Sequence, residues 1–221
     1  MATFIPYQPQ VYSEAEVRDR AERHYQFMDG RRTVREFSDK PIPREVIEKL
    51  LLTASSAPSG AHKQPWTFCA ISDPEIKRQI RVAAEEEEYR NYNGRMTDTW
   101  LKDLEAFGTS WEKPFLEIAP WLIVVFRRIY EMENGQKHNN YYVNESVGLA
   151  TGFLLQSIYN AGLVSLTHTP SPMNFLSKLL GRPENERAFI LIPVGFPSDE
   201  MMVPDLHRKS LEEMSVFFEG G

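Results

Sequence analysis

Arg31-Arg32-Thr33-Val34-Arg35-Glu36-Phe37-Ser38-Asp39-Lys40-Pro41-Ile42-Pro43 places three arginines in five residues, in a break between two helical patterns. Before it, Ser13 to Met28 reads as a helix. Ser13 with Glu16 three residues on is a capping box, Gly30 is a stop, and Val17, Ala21, Tyr25 and Met28 form a thin apolar stripe. After it, Pro43 to Ser55 puts Val46, Ile47, Leu50, Leu51 and Ala54 on one face. Guanidinium groups match phosphate geometry through paired hydrogen bonds. Alone, the segment reads as a solvated basic turn.

Two further segments share its character. Ala57-Pro58-Ser59-Gly60-Ala61-His62 follows the second helix, and its small residues let backbone amides approach a planar ligand. Pro204-Asp205-Leu206-His207-Arg208-Lys209 is again basic and extended. Each alone reads as a surface loop; together they look like parts of one anion site.

The rest of the chain alternates extended and helical patterns. Trp66 to Ser72 reads as a strand, and Asp73-Pro74 opens a helix to about Glu88 with proline at its first position. Trp121 to Arg127 is a buried strand, Asn144 to Ala161 a long apolar helix ended by Gly162, and Leu163 to Thr167 another strand. Ser171-Pro172 is read as the cap of a short helix closed by Gly181, followed by a strand from Ala188 to Val194. Roughly five helices and four or five strands in mixed order give an α+β or α/β sheet with helical cover.

The 221 residues suit one domain, 1–221, with no linker that would split it. At 42% hydrophobic and 25% charged, disorder and coiled coil are excluded. A net charge of −6 argues against nucleic-acid binding. One cysteine, Cys69, builds neither a disulfide nor a cysteine cage. No apolar run approaches the roughly 18 residues of a membrane span, so the reading is a soluble, cytoplasmic protein. G-x-G-x-x-G, G-x-x-x-x-G-K-[ST], G-x-S-x-G and H-E-x-x-H are all absent, and the five histidines are scattered, so no metal site is expected.

In order and spacing, RRTVREFSDKPIP, APSGAHKQPWTF and VPDLHRK resemble the nitroreductase superfamily of FMN-binding flavoproteins, over residues 25 to 213. Within it the resemblance runs furthest with the iodotyrosine deiodinase family, through PSGAHKQPW, EEEEYRNYNGRMTDTW, NAGLVSLTHTP, LLGRPENE and PVGFPSDE. The resemblance implies an α+β nitroreductase-like fold: a central mixed sheet flanked by helices, in a homodimer with exchanged arms. It implies FMN held by Arg31, Arg32, Thr33, Arg35 and Arg208. Pro58, Ser59 and Gly60 shape the flavin loop, and Thr167, His168 and Thr169 lie along the flavin. Thr169 is the catalytic candidate, donating to flavin N5. At 168 the family pattern is commonly threonine, so His168 is a departure.

The same resemblance assigns Glu88, Tyr92 and Lys113 to the zwitterion of a halotyrosine and the amide near Ala61 to its phenolate. The implied reaction is FMN-dependent reductive dehalogenation, iodotyrosine to tyrosine plus iodide, with an unidentified electron donor. The spacing of Glu88 and Tyr92 suits this, because residues four apart share a helical face. A run of glutamates before an aromatic also reads as a solvated face. The polar stretch 85–113 is expected to be a lid that orders on its ligand. Gly148 and Gly152, four apart, and the apolar tail Met214-Ser215-Val216-Phe217-Phe218 point to dimer contacts, the arm being about 204–221. Three alternatives stay open: a generic NAD(P)H-dependent nitroaromatic or quinone reductase, a non-catalytic flavin-binding or flavin-fragmenting protein, and a helical interaction module that docks through the acidic run.

Overall fold

The computed structural model describes residues 2–220; Met1, and Gly221 at the end of the expected arm, lie outside them. Two compact units are present, Met1–Arg32 and Thr33–Gly221. In the first, α1 spans Glu14–Asp29 behind the Ser13/Glu16 capping box and ends at Gly30. Its stripe is exposed rather than buried: none of its residues is buried, and Val17 and Tyr25 both face solvent.

The second unit is built on a four-stranded sheet, ordered β1 (Trp66–Ile71), β2 (Trp121–Arg128), β6 (Glu186–Gly195), β5 (Val164–Ser165). All strand pairs are antiparallel. The parallel component is a bridge from Thr33 to Ser165, closed by the Val34 amide on the Ser165 carbonyl at 3.1 Å.

The apolar run of β2 is continuous because both faces of the sheet are covered. Ile123 and Val125, with Ile192 and Val194 of β6, face one core. That core is filled by Ile47, Leu50 and Ala54 of α2 (Arg44–Ser55) and by Val147, Ala150, Leu154 and Ile158 of α6 (Val143–Asn160). Leu122, Val124, Phe126 and Leu191 face the other. There they meet Ile80 and Ala84 of α3 (Pro74–Arg90), Leu116 of α5 (Phe115–Ile118) and Leu176 of α7 (Asn174–Leu179). Gly195 is needed where the sheet meets two neighbours, because a Cβ there would stand 2.9 Å from both Phe37 and Pro120.

Several expected elements change. The strand expected over Leu163 to Thr167 shrinks to Val164–Ser165 plus a bridge from His168 to Leu191. Ser171 does not cap α7: Met173 is the cap residue and makes no side-chain cap bond. Two features were not anticipated. One is the hairpin β3 (Tyr130–Glu133) and β4 (Gln136–Asn139), turned at Asn134-Gly135. The other is α4 (Asp98–Glu105), capped by Thr97. A final short helix, α8 (Leu211–Met214), has its own capping box, Ser210 with Glu213. Beyond it Val216, Phe217 and Phe218 are exposed, Phe218 to 96%.

Candidate functional site

The stretch 85–113 folds as the last turns of α3, a wide turn at Asn91–Arg95, α4, and a return to α5. That path brings Lys113 back against the end of α3. Its Nζ stands 3.5 Å from Glu88 Oε2, with side-chain exposures of 4% and 9%. Lys113 also donates to Thr109 Oγ1 at 3.3 Å and to the Ser110 carbonyl, and its amide donates to Glu85 Oε1 at 2.6 Å. Its Nζ lies 5.5 Å from the Tyr92 ring centroid, and the Tyr92 hydroxyl donates to the Thr109 carbonyl at 3.4 Å. Glu88, Tyr92 and Lys113, separated by up to 25 positions, thus form one cluster. Tyr89 and Trp111 brace it edge-to-face at 5.5 Å.

Burial works against charge on both partners. It pushes the Glu88 carboxyl up and the Lys113 ammonium down, while each group's attraction to the other opposes the shift. Burial also raises the Tyr92 phenol, keeping it a donor.

Arg35 acts electrostatically on this cluster, and Thr33 lines a cleft together with Arg35. The parallel bridge sets Thr33 beside Ser165, two residues before Thr167. Arg35 lies over the Phe107 ring at 5.8 Å, and its charge is felt at Tyr92, Lys113 and His168. An open cleft of about 470 Å³ is lined by Thr33, Arg35, Glu36, Phe107, Gly108 and Pro204. Arg35 is half-buried, burial lowers its pKa, and no carboxylate pairs with it among the described residues. A half-buried guanidinium of this kind is a donor set suited to an anion.

Strand alternation separates the three residues at 167–169. Thr167 and Thr169 are exposed on one face, whereas His168 is buried on the other. The His168 backbone pairs both ways with Leu191, at 2.8 and 2.9 Å, and its ring meets Phe115 edge-on at 5.7 Å. Burial first, then the Lys113 and Arg35 cations, hold its imidazole down at about 3. Its Nε2 is buried without a hydrogen-bond partner.

The Pro58–Ala61 loop is tied instead to α6. The Gly60 amide donates to Ser146 Oγ at 3.2 Å, and Ser59 Oγ accepts from the Gln64 amide at 2.9 Å. A Cβ on Gly60 would stand 3.0 Å from the Tyr141 carbonyl oxygen and from the Tyr142 ring. Ala61, His62 and Gln64 all have positive φ, a cost that non-glycine residues bear where the surroundings hold them. Arg31 and Arg32 close the first unit, and Arg208 lies in an extended, exposed stretch before α8.

The Nitroreductase family matches residues 28–196. The chain belongs to the nitroreductase family. It is 61% identical to an iodotyrosine deiodinase of Haliscomenobacter hydrossis over 97% of each chain. It is 44% identical to iodotyrosine deiodinase 1 of Homo sapiens over 96% of this chain and 74% of that protein. A crystal structure of oxidized iodotyrosine deiodinase bound to FMN and 3-iodo-L-tyrosine superposes with a TM-score of 0.75 at 32% identity, covering 89% of this chain and 99% of that one.

Against this family background, the residues present fit a flavin mononucleotide. Arg35 supplies a cation with no carboxylate partner among the described residues, and the Ser59–Gln64 loop supplies backbone packed so closely that a side chain at Gly60 would crowd Tyr141 and Tyr142. Sequence spacing did not single out Thr109 or Ser110, which complete the cluster. Thr109 sits four residues before Lys113, a spacing that could have pointed to it. Among the described residues no helix is long and apolar enough to cross a membrane.

Proposed function

We propose that the chain is a single-domain, FMN-dependent oxidoreductase that reductively dehalogenates halotyrosines and works as a homodimer with exchanged C-terminal arms. The convergence of Glu88, Tyr92 and Lys113 carries this reading. A carboxylate, a phenol and an ammonium in one buried cluster suit the opposite charges of an amino-acid zwitterion.

By residue, Arg31, Arg32, Thr33, Arg35 and Arg208 hold the FMN phosphate and neighbouring atoms. Pro58, Ser59 and Gly60 seat the ring system, with Thr167 and Thr169 along it and His168 turned into the core behind them. Bound FMN supplies the two electrons that loss of halide requires. Thr169 presents its hydroxyl as the donor to flavin N5, and the amide at Ala61 takes the substrate phenolate. In the overall change one carbon–halogen bond becomes carbon–hydrogen, one proton is consumed and halide leaves.

The Glu88–Lys113 pair opens when substrate enters. The substrate ammonium replaces Lys113 beside Glu88, while Tyr92 and Lys113 take the carboxylate. Partner is exchanged for partner, so neither buried charge is left uncompensated, which would cost about 3–5 kcal/mol. The closed lid then excludes water. Exposed Met214, Val216, Phe217 and Phe218, and the open side of α6 at Gly148 and Gly152, supply the surface that a second copy covers.

Titrating the bound-flavin fluorescence tests the proposal. Quenching that saturates with 3-iodotyrosine at concentrations where tyrosine leaves the signal unchanged supports it. Indifference to both amino acids points to a generic nitro or quinone reductase.

A further inference from the structure

Ile80 and Ala84 anchor α3 in the core, but beyond them the buried positions of the helix are polar: Glu88 and Asn91. Buried polar groups need partners. Glu88 has Lys113. Asn91 Nδ2 donates to the Ser171 carbonyl at 2.9 Å, and its Oδ1 accepts from Arg95 Nη1 at 3.5 Å. Its own carbonyl accepts the Met96 amide at 2.9 Å, closing the turn that ends α3. Arg95 in turn reaches Glu87 Oε2 at 2.6 Å. Asn91 thus lies between Glu88 and Tyr92 in one turn, where the regular helix stops.

Ser171 lies two residues after Thr169, in the link between the His168–Leu191 bridge and α7. The 2.9 Å bond therefore joins the turn carrying Glu88 and Tyr92 to the segment carrying Thr169, across 80 residues of sequence.

We infer that Asn91 is a positioning residue: it fastens the lid to the Thr169 segment, so that gripping the substrate zwitterion and setting the Thr169 hydroxyl are one event. The inference rests on the halotyrosine reading above. Movement of Glu88 and Tyr92 onto a zwitterion is passed through the Asn91 carboxamide to the Ser171 carbonyl. A halophenol, which lacks the zwitterion, does not engage this link.

Hydrogen–deuterium exchange on the FMN-loaded protein, with and without 3-iodotyrosine, tests the coupling. In the wild-type protein the ligand should protect both 85–100 and 167–173. In Asn91→Asp, which loses the amide donor at nearly constant shape, and in Asn91→Ala, protection at 85–100 should persist. Protection at 167–173 should fall about three- to tenfold, the value of one hydrogen bond. The kcat for 3-iodotyrosine should fall by a similar factor with KM changed less, while the rate with 2-iodophenol holds. A wild-type protein that protects 85–100 but not 167–173 overturns the inference without any variant. So do variants that lose both substrates equally, as a merely structural role requires. A wild-type protein showing no protection anywhere overturns the halotyrosine reading, and the inference with it.

Discussion

Lys113 Nζ stands 3.5 Å from Glu88 Oε2 with almost no side-chain surface left to either, although 25 positions separate them. Burial opposes both charges, so the pair holds only while each compensates the other. Glu88→Gln should therefore act twice. It should lower folding stability by about 3 kcal/mol, because it strands the buried ammonium. It should also weaken 3-iodotyrosine binding by at least about 30-fold while leaving 2-iodophenol binding nearly unchanged. Thermal melts and flavin-fluorescence titrations check the two effects separately.

His168 should make the protein acid-sensitive. Its imidazole is held at about 3, against an ordinary value of 6.5. Between those values the unfolded chain binds a proton that the folded chain does not, so stability is complete above pH 6.5 and is lost as pH falls toward 3. From pH 6.5 to 5 the loss is on the order of 2 kcal/mol. His168→Thr should flatten that part of the profile whatever it does to stability at pH 7.5. Melting temperatures of both proteins at pH 7.5 and 5 measure the difference in slope.

Thr169→Ala should slow dehalogenation about tenfold or more and nitroaromatic reduction much less, because a donor at flavin N5 steers the cofactor toward one-electron steps. Parallel rates with 3-iodotyrosine and a nitroaromatic decide it. Equal losses would take the donor role away from this hydroxyl.

The apolar end should be an interface. Phe217 and Phe218 are 67% and 96% exposed. Replacing both by serine should yield monomers in sedimentation and release FMN, because the proposed flavin sites need both copies. An unchanged dimer would place the interface elsewhere.

Much of the fold was legible because local rules and burial agree. The Ser13/Glu16 box starts α1 and Asp73-Pro74 starts α3. The apolar run of Trp121 to Phe126 is the strand covered on both faces. The hairpin was missed although Asn134-Gly135 is a standard turn signal, because its strands (YEME and QKHN) are too polar to show a buried face. Helix α4 was missed for a similar reason, since no residue in it is buried. Ser171 looked like a cap by type, but its carbonyl serves Asn91 instead. In the site, the four-residue spacing of Glu88 and Tyr92 was readable, whereas the approach of Lys113 is tertiary and no spacing encodes it. His168 was grouped with its threonine neighbours; strand alternation turns it into the core.

Anaerobic single turnover shows whether the reduced flavin itself removes the halogen. Purified protein loaded with FMN and reduced by dithionite is mixed with one equivalent of 3-iodotyrosine. One equivalent each of tyrosine and iodide should form as the flavin reoxidises. A flavin that stays reduced with 3-iodotyrosine intact, while a nitroaromatic reoxidises it, would make the protein a generic reductase instead.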